Sequence, residues 1–514
     1  MSNQEFNQVS VRPMDEYNQK LVSYVHPLNW VNPEPADSYD LLVIGAGTAG
    51  LVVAAGAAGL DVGLKVALVE KHLMGGDCLN YGCVPSKCII RSSRVVGEIF
   101  QARELGVIVP QYIEVDFPAV MERMRRLRAD ISHNDSAERF RKLGVDVFLG
   151  NAQFNSGNTV SVGDKVLKFK KAVIATGASS AKLTIPGIEK AGYLTNETVF
   201  SLTQLPRRMA VIGGGPIGCE MAQAFRRLGS EVTLFHSGSQ ILHKEDAEAA
   251  SILHKVFAKE GIRLVLNCQI EQVETITDGK QVYFSYDGQR DSITVDEILA
   301  GVGRVPNVKG LNLEAVGVGY DPNRGVIVND FLQTSNPKIF AAGDICMDYK
   351  FTHAADAAAR IVIKNALFSP FGFGKQKLSS LVMPWVTYTD PEIAHVGMFE
   401  NEAQSKGIET NTIKIPFSSV DRAIADGEEG FVKILHRKSS DEILGATIVA
   451  RHAGEMISEV TTAIVNKLGL SKLSSVIHPY PTQAEAIKKA ADAYRRTLLT
   501  GRTKRFLGLL AKFN

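Results

Sequence analysis

Short apolar runs that break at glycine recur along the chain: DLLVIGAGTAG at 40–50, KAVIATGAS at 171–179, MAVIGGGPIG at 209–218, ILAGVGRVPN at 298–307 and KIFAAGD at 338–344. Each predicts a short strand ending in a tight turn. Two of them lead into small-residue helical patterns, LVVAAGAAGL from residue 51 and CEMAQAFRRLG from 219. Each pattern runs on to a second apolar run, KVALVE ending at Glu70 and EVTLF ending at Phe235. Strand, glycine turn, helix, strand is the βαβ order, and its repetition predicts an α/β fold with two Rossmann-like domains.

The turns carry a fingerprint. Gly45, Gly47 and Gly50 fit G-x-G-x-x-G, and Glu70 follows Gly50 by twenty positions. Such glycines let a pyrophosphate reach a helix N-terminus, while the acid takes ribose hydroxyls. Gly213, Gly215 and Gly218 repeat the pattern, but His236, followed by Ser237, Gly238 and Ser239, stands where the acid would be. Without that acid a 2′-phosphate meets no repulsion, which favours NADPH over NADH. The remaining glycine-ended runs place Gly177, Gly303 and Asp344 where the chain re-enters a sheet beside a bound cofactor. Two nucleotide sites imply two cofactors.

Composition narrows the class. A chain of 514 residues is too long for one core and suggests roughly three or four domains. Lys plus Arg number 57 against 55 Asp plus Glu, a net charge of +2, so nucleic acid is not an expected partner. The first twenty residues lack a basic region followed by an apolar one, and no apolar run approaches about 18 residues, so a cytoplasmic protein is expected.

Six cysteines exclude a disulfide-stapled scaffold. Two of them, Cys78 and Cys83, stand five positions apart in GGDCLNYGCVPSK. Half of a zinc site, two inert core thiols and a redox dithiol are the three readings. No second CxxC or His pair accompanies them to complete a zinc site, and flanking glycines suit a core poorly. Two cofactor sites in the same chain favour redox chemistry.

With these motifs in place, the chain resembles the pyridine nucleotide-disulfide oxidoreductases over roughly residues 38–497, with mercuric reductase and its relatives the nearest branch. The resemblance implies that the first fingerprint and Glu70 bind FAD, that the second binds the nicotinamide nucleotide, and that Asp344 meets the ribityl chain. It also implies a homodimer, through YTDPEIAHVG and GATIVARHAGEMI in the segment after residue 375. Cys83 would lie against the flavin as the thiolate, Cys78 would exchange with substrate, and Lys87 would pair with Glu220. The implied domain order is an N-terminal extension (1–37), an FAD-binding domain in two parts (38–180 and 301–374), an NAD(P)H-binding domain (181–300), an α+β dimerisation domain (375–497) and a basic tail (498–514).

The sequence departs from the family in three places. Dithiol-reducing relatives carry a His-Pro-Thr with a Glu three residues past the Thr. Here IHPYPTQAEA puts Tyr480 at the histidine's place, with Glu485 aligned and His478 two residues early. A phenol with an ordinary pKa near 10 is a poor base for a dithiol, so a metal-ion or other small acceptor is expected over lipoamide or glutathione disulfide. A redox-sensing flavoprotein with little turnover is the alternative from another class. The tail has no cysteine pair to hand soft Hg(II) inward, and residues 1–37, which lack a CxxC, read as a polar, proline-containing arm. The tail alternates Arg and Lys with Phe and Leu. Packing on the dimer or fraying is expected for so short a segment, with weak contact to an anionic membrane surface the alternative.

Overall fold

The computed structural model describes residues 11–110 and 113–512. Its first sheet has the strands Val145–Leu149, Val66–Glu70, Tyr39–Ile44 and Lys165–Ile174 side by side and parallel, and Ile339–Ala341 joins parallel to the last of these. In register, Ile44 faces both Val69 and Ile174, and Ala341 also faces Ile174. Four strands therefore finish at one level, beside Gly45. The strand from residue 339 returns after the whole second domain, so this sheet is built from two distant parts of the chain. Helices Thr48–Ala58 and Thr352–Leu367 pack together on one face.

The second domain repeats the plan with a parallel four-stranded sheet, ordered Arg263–Val265, Glu231–Phe235, Arg208–Ile212 and Glu297–Ala300, flanked by a three-stranded antiparallel sheet over 269–295. Again the strand ends are level: Ile212 faces Phe235 and Ala300, beside Gly213. A third unit holds a five-stranded antiparallel sheet, Pro384–Thr387, Glu392–Gly397, Ile443–Ala450, Phe431–Arg437 and Thr410–Pro416, covered by helices Ala453–Val465 and Glu485–Thr497. Central strand Ile443–Ala450 is buried at every position, which is why its sequence is apolar but for Thr447, whose hydroxyl pairs with His395 Nδ1 at 2.8 Å.

The N-terminal stretch differs from its reading as a polar arm. Residues Glu16–Val25 form a helix, with Asp15 accepting a hydrogen bond from the Asn18 amide (2.9 Å) as its cap. Leu21, Val22 and Val25 are buried against the first domain. The chain then runs along the edge of the first sheet, where Trp30 Nε1 donates to the Val147 carbonyl (3.1 Å) and Asn32 pairs with Leu149 through both its amide atoms. Three apolar residues on one helical face outweigh a polar average composition. The first ten residues of that stretch, and Phe513 of the tail, lie outside the described residues. At the other end Gly501–Leu510 is helical with no residue buried. Among the described residues no helix is long and apolar enough to cross a membrane.

Candidate active site

The level strand ends create the site. Where the chain turns from strand to helix, Gly45 has φ +102°, and a Cβ there would lie 2.4 Å from the Ala175 carbonyl oxygen of the neighbouring strand. Gly50 stands behind the turn, where a Cβ would lie 1.8 Å from the Gly45 oxygen. The second turn reproduces this: a Cβ on Gly213 would meet the Gly301 oxygen at 2.3 Å and one on Gly218 the Gly213 oxygen at 1.9 Å. Both helices thereby start hard against their sheets, with their first amides facing open space that can take a pyrophosphate.

Glu70 and His236 occupy equivalent places at the two strand ends. Glu70 accepts from the amides of Ala46 (2.6 Å) and His72 (2.8 Å) and is buried, which pushes its pKa up against those two bonds. His236 Nδ1 accepts from the Gly214 amide at 3.2 Å. Burial, and then the neighbouring His243 ring stacked 5.9 Å away, lower the His236 pKa, so the ring is neutral and its Nδ1 is free to accept. Its Nε2 is buried and has no protein partner among the described residues. A neutral acceptor thus keeps the turn's geometry while removing the carboxylate's charge.

One continuous cleft of about 2950 Å³ joins the two fingerprints and runs past Cys78 and Cys83. Glu70, Gly177, Gly303, Asp344, Lys87, Glu220 and His236 also line it, whereas Tyr480 and Glu485 do not. Cys83 begins the long helix Cys83–Gln101, and its sulfur lies 3.3 Å from Thr352 Oγ1 at the first turn of Thr352–Leu367. Two helix N-termini therefore converge near this sulfur. The hydrogen bond from Cys78, then Thr352 and the Lys87 charge, pull the Cys83 pKa down to about 6 against the opposing effect of burial. Cys78 moves the other way, chiefly through its bond to Cys83 and its burial. One proton shared unequally makes Cys83 the thiolate of the pair.

The surrounding charges are ordered. Lys87 Nζ donates to Glu220 Oε2 at 2.9 Å and sits 4.4 Å above the Tyr388 ring, while the Tyr388 amide donates to Glu220 Oε1 at 2.9 Å. Burial works to lower the Lys87 pKa, but the Glu220 carboxylate overrides it and the pKa rises. On the other side Arg304 Nη1 donates to Asp77 Oδ2 at 2.8 Å and its Nε lies 3.4 Å from Asp344 Oδ2. Asp77 accepts from Asn196 as well (2.9 Å), which fixes the turn bearing Cys78. Thr352, Tyr388, Asp77 and Arg304 were not legible as site residues. Tyr388 and Arg304 stand inside motifs read for other reasons, and Thr352, 269 positions from Cys83, has no local signal.

The Tyr480 region lies elsewhere on the protomer. Tyr480 is 70% exposed, and its hydroxyl donates to Asp421 at 2.9 Å. His478 Nε2 is paired with Glu459 Oε1 at 2.8 Å. Glu485 lies 3.5 Å from Lys489, with its other oxygen buried and unpartnered among the described residues.

Two nucleotide-shaped turns facing one dithiol across a shared cleft define a dithiol redox enzyme that works with two dinucleotides. The pyridine nucleotide-disulphide oxidoreductase pattern matches residues 39–359 and that family's dimerisation domain matches 383–491, so the chain belongs to this family, which uses FAD and NAD(P)H. It is 35% identical to a mercuric reductase of Lysinibacillus sphaericus over 492 residues, 95% of this chain and 89% of that protein. It is 34% identical to a dihydrolipoyl dehydrogenase of Chlamydia trachomatis over 464 residues, 88% and 96% of the two chains. Among solved structures, the HOCl-induced flavoprotein disulfide reductase RclA from Escherichia coli superposes with a TM-score of 0.77 at 25% identity, covering 88% of this chain and 99% of that one.

The first turn fits FAD on its own geometry: a cradle that a Cβ would fill, a helix start facing it, and the buried Glu70 and half-buried Asp344 carboxylates lining the same cleft.

Proposed function

We propose that the protein reduces a soft metal ion, Hg(II) to Hg(0), with electrons from NADPH. The observation that carries this reading is Tyr480 at the position where dithiol-reducing relatives hold a histidine, in a chain similar to mercuric reductases over nearly its whole length. In the overall reaction, Hg(II) and NADPH give Hg(0), NADP⁺ and a proton. Bound FAD supplies the two-electron relay between nicotinamide and dithiol. Gly45, Gly47, Gly50, Glu70, Gly177 and Asp344 would hold FAD, while Gly213, Gly215, Gly218, His236 and Gly303 would hold the nucleotide. The hydrogen bond from Cys78, then Thr352 and the Lys87 ammonium, keep Cys83 ionised against the opposing Glu220 charge, so a soft cation entering the cleft meets a thiolate at neutral pH. Cys78 is the second ligand and the thiol that faces substrate. Tyr480 would reach the partner's dithiol in the homodimer and offer a hydroxyl to a bound thiolate, a role that needs no base.

Reduction of a dithiol's disulfide is the second reading, favoured by the likeness to dihydrolipoyl dehydrogenase. Anaerobic assays with NADPH separate the two. Hg(0) release is expected, slower when excess small thiol caps the metal because the tail has no cysteines to relay it, with lipoamide reduced at trace rates. Tyr480→His should raise lipoamide turnover by about tenfold or more. Fast lipoamide turnover by the native protein without Hg(0) release would replace the first reading with the second.

A further inference from the structure

The helix Gly501–Leu510 is unusual in this molecule because none of its residues is buried. Its start is capped, with Thr500 Oγ1 accepting from the Thr503 amide at 3.2 Å. Phe506, Leu507, Leu509 and Leu510 share one face, and Phe506 is 62% and Leu509 57% exposed. Leu498 and Leu499, just before the helix, are exposed too. On the helical repeat, Lys504 and Arg505 take the opposite face, with Lys512 just past the end, while Arg502 stands at the helix start one turn before Phe506 on the apolar side. From residue 493 to 512 the chain has six Arg and Lys and no acid. Among the described residues none of these six forms an ion pair, although the rest of the chain is rich in them.

We propose that this helix rests on an anionic lipid surface, with its Phe and Leu face in the acyl boundary and its basic face among the headgroups. A ten-residue helix containing Gly501 and Gly508 has little stability of its own and needs a surface for its apolar face. The run of unneutralised positive charge says which surface: it complements negative headgroups and would repel its own copy. The family's dimerisation domain ends at residue 491, so the helix lies beyond the matched dimer-forming segment, and a dimer presents two such helices. This placement is independent of the electron acceptor.

The test uses the full-length, flavin-loaded protein and sedimentation with vesicles of phosphatidylcholine, alone or with about one third phosphatidylglycerol. Binding to the anionic vesicles should exceed binding to neutral ones by about tenfold or more and fall in about 0.5 M salt. It should be lost in Phe506→Ser/Leu510→Ser and in Arg502→Glu/Arg505→Glu, with NADPH oxidation and oligomeric state unchanged. Equal binding to both vesicles, no binding to either, or retention by both variants overturns the proposal. So does a change of oligomeric state in the Phe506→Ser/Leu510→Ser variant without lipid, which would assign the apolar face to a second copy.

Discussion

At the scale of single residues, the site depends on which sulfur is charged. Thr352 touches Cys83 from a helix start distant in sequence, and its hydroxyl and the Lys87 ammonium both favour the thiolate. Alkylation of the reduced protein should therefore rise with pH through about 6 and level off, because a lowered thiol pKa means the thiolate is present above that value. Thr352→Val should move this profile up by about one unit, near 1.4 kcal/mol, without unfolding the protein. An unchanged profile would remove Thr352 from the site. His236 makes a second residue-scale case, since it holds the Gly214 amide as Glu70 holds that of Ala46. His236→Glu restores an acceptor with a charge, so the ratio of kcat/KM for NADPH to that for NADH should fall about tenfold or more, read from paired steady-state assays. A native preference for NADH would refute the choice of NADPH.

Among elements, the segment after the second fingerprint's strand ties the nucleotide domain to the five-stranded sheet. Trp385 Nε1 donates to Glu245 Oε1 at 2.7 Å, and Lys433 bridges Asp246 (2.8 Å) and Glu248 (2.9 Å). Burial raises the Glu245 pKa to about 7, only partly offset by the Trp385 bond, and its second oxygen has no partner among the described residues. The sign follows from the raised pKa. Above about 4.5 the unfolded carboxyl ionises while the folded one stays protonated, so stability falls with rising pH up to about 7 and then stays level. Glu245→Gln, which keeps an acceptor for Trp385, should match the native protein in thermal unfolding below pH 4.5 and exceed it above pH 7, by on the order of 1–3 kcal/mol. Parallel unfolding curves for the two proteins at all pH values would show that Glu245 is not held protonated.

On the scale of the whole molecule, the protomer leaves the proposed site residue Tyr480 stranded. Tyr480 is outside the cleft, and beside it Ile477 is 93% exposed at the edge of a small depression lined by Val476 and Leu468. A family dimerisation domain with an isoleucine so bare points to burial in the dimer. Ile477→Glu should weaken the dimer by about a hundredfold, near 2.7 kcal/mol, seen by light scattering on dilution. Acceptor reduction should fall as monomer appears, whereas a dimer of native strength would place the interface elsewhere.

Both nucleotide turns, the dithiol and the α/β class were legible in the sequence, because each rests on local rules. Glycine is required where backbone atoms of the next strand stand within 2.4 Å of a would-be Cβ, and a strand buried on both faces must be largely apolar. The helix within the N-terminal arm obeys the same local rule, yet its three buried apolar residues were lost in a polar average. Thr352 against Cys83, the Asp77–Arg304 contact and the Glu245–Trp385 tie were decided by tertiary structure alone. Their partners lie 269, 227 and 140 positions apart, and no periodicity reaches that far. The charge state of Cys83 belongs with them, since it arises where helix starts from the two distant parts of the first domain meet beside a lysine and a second thiol.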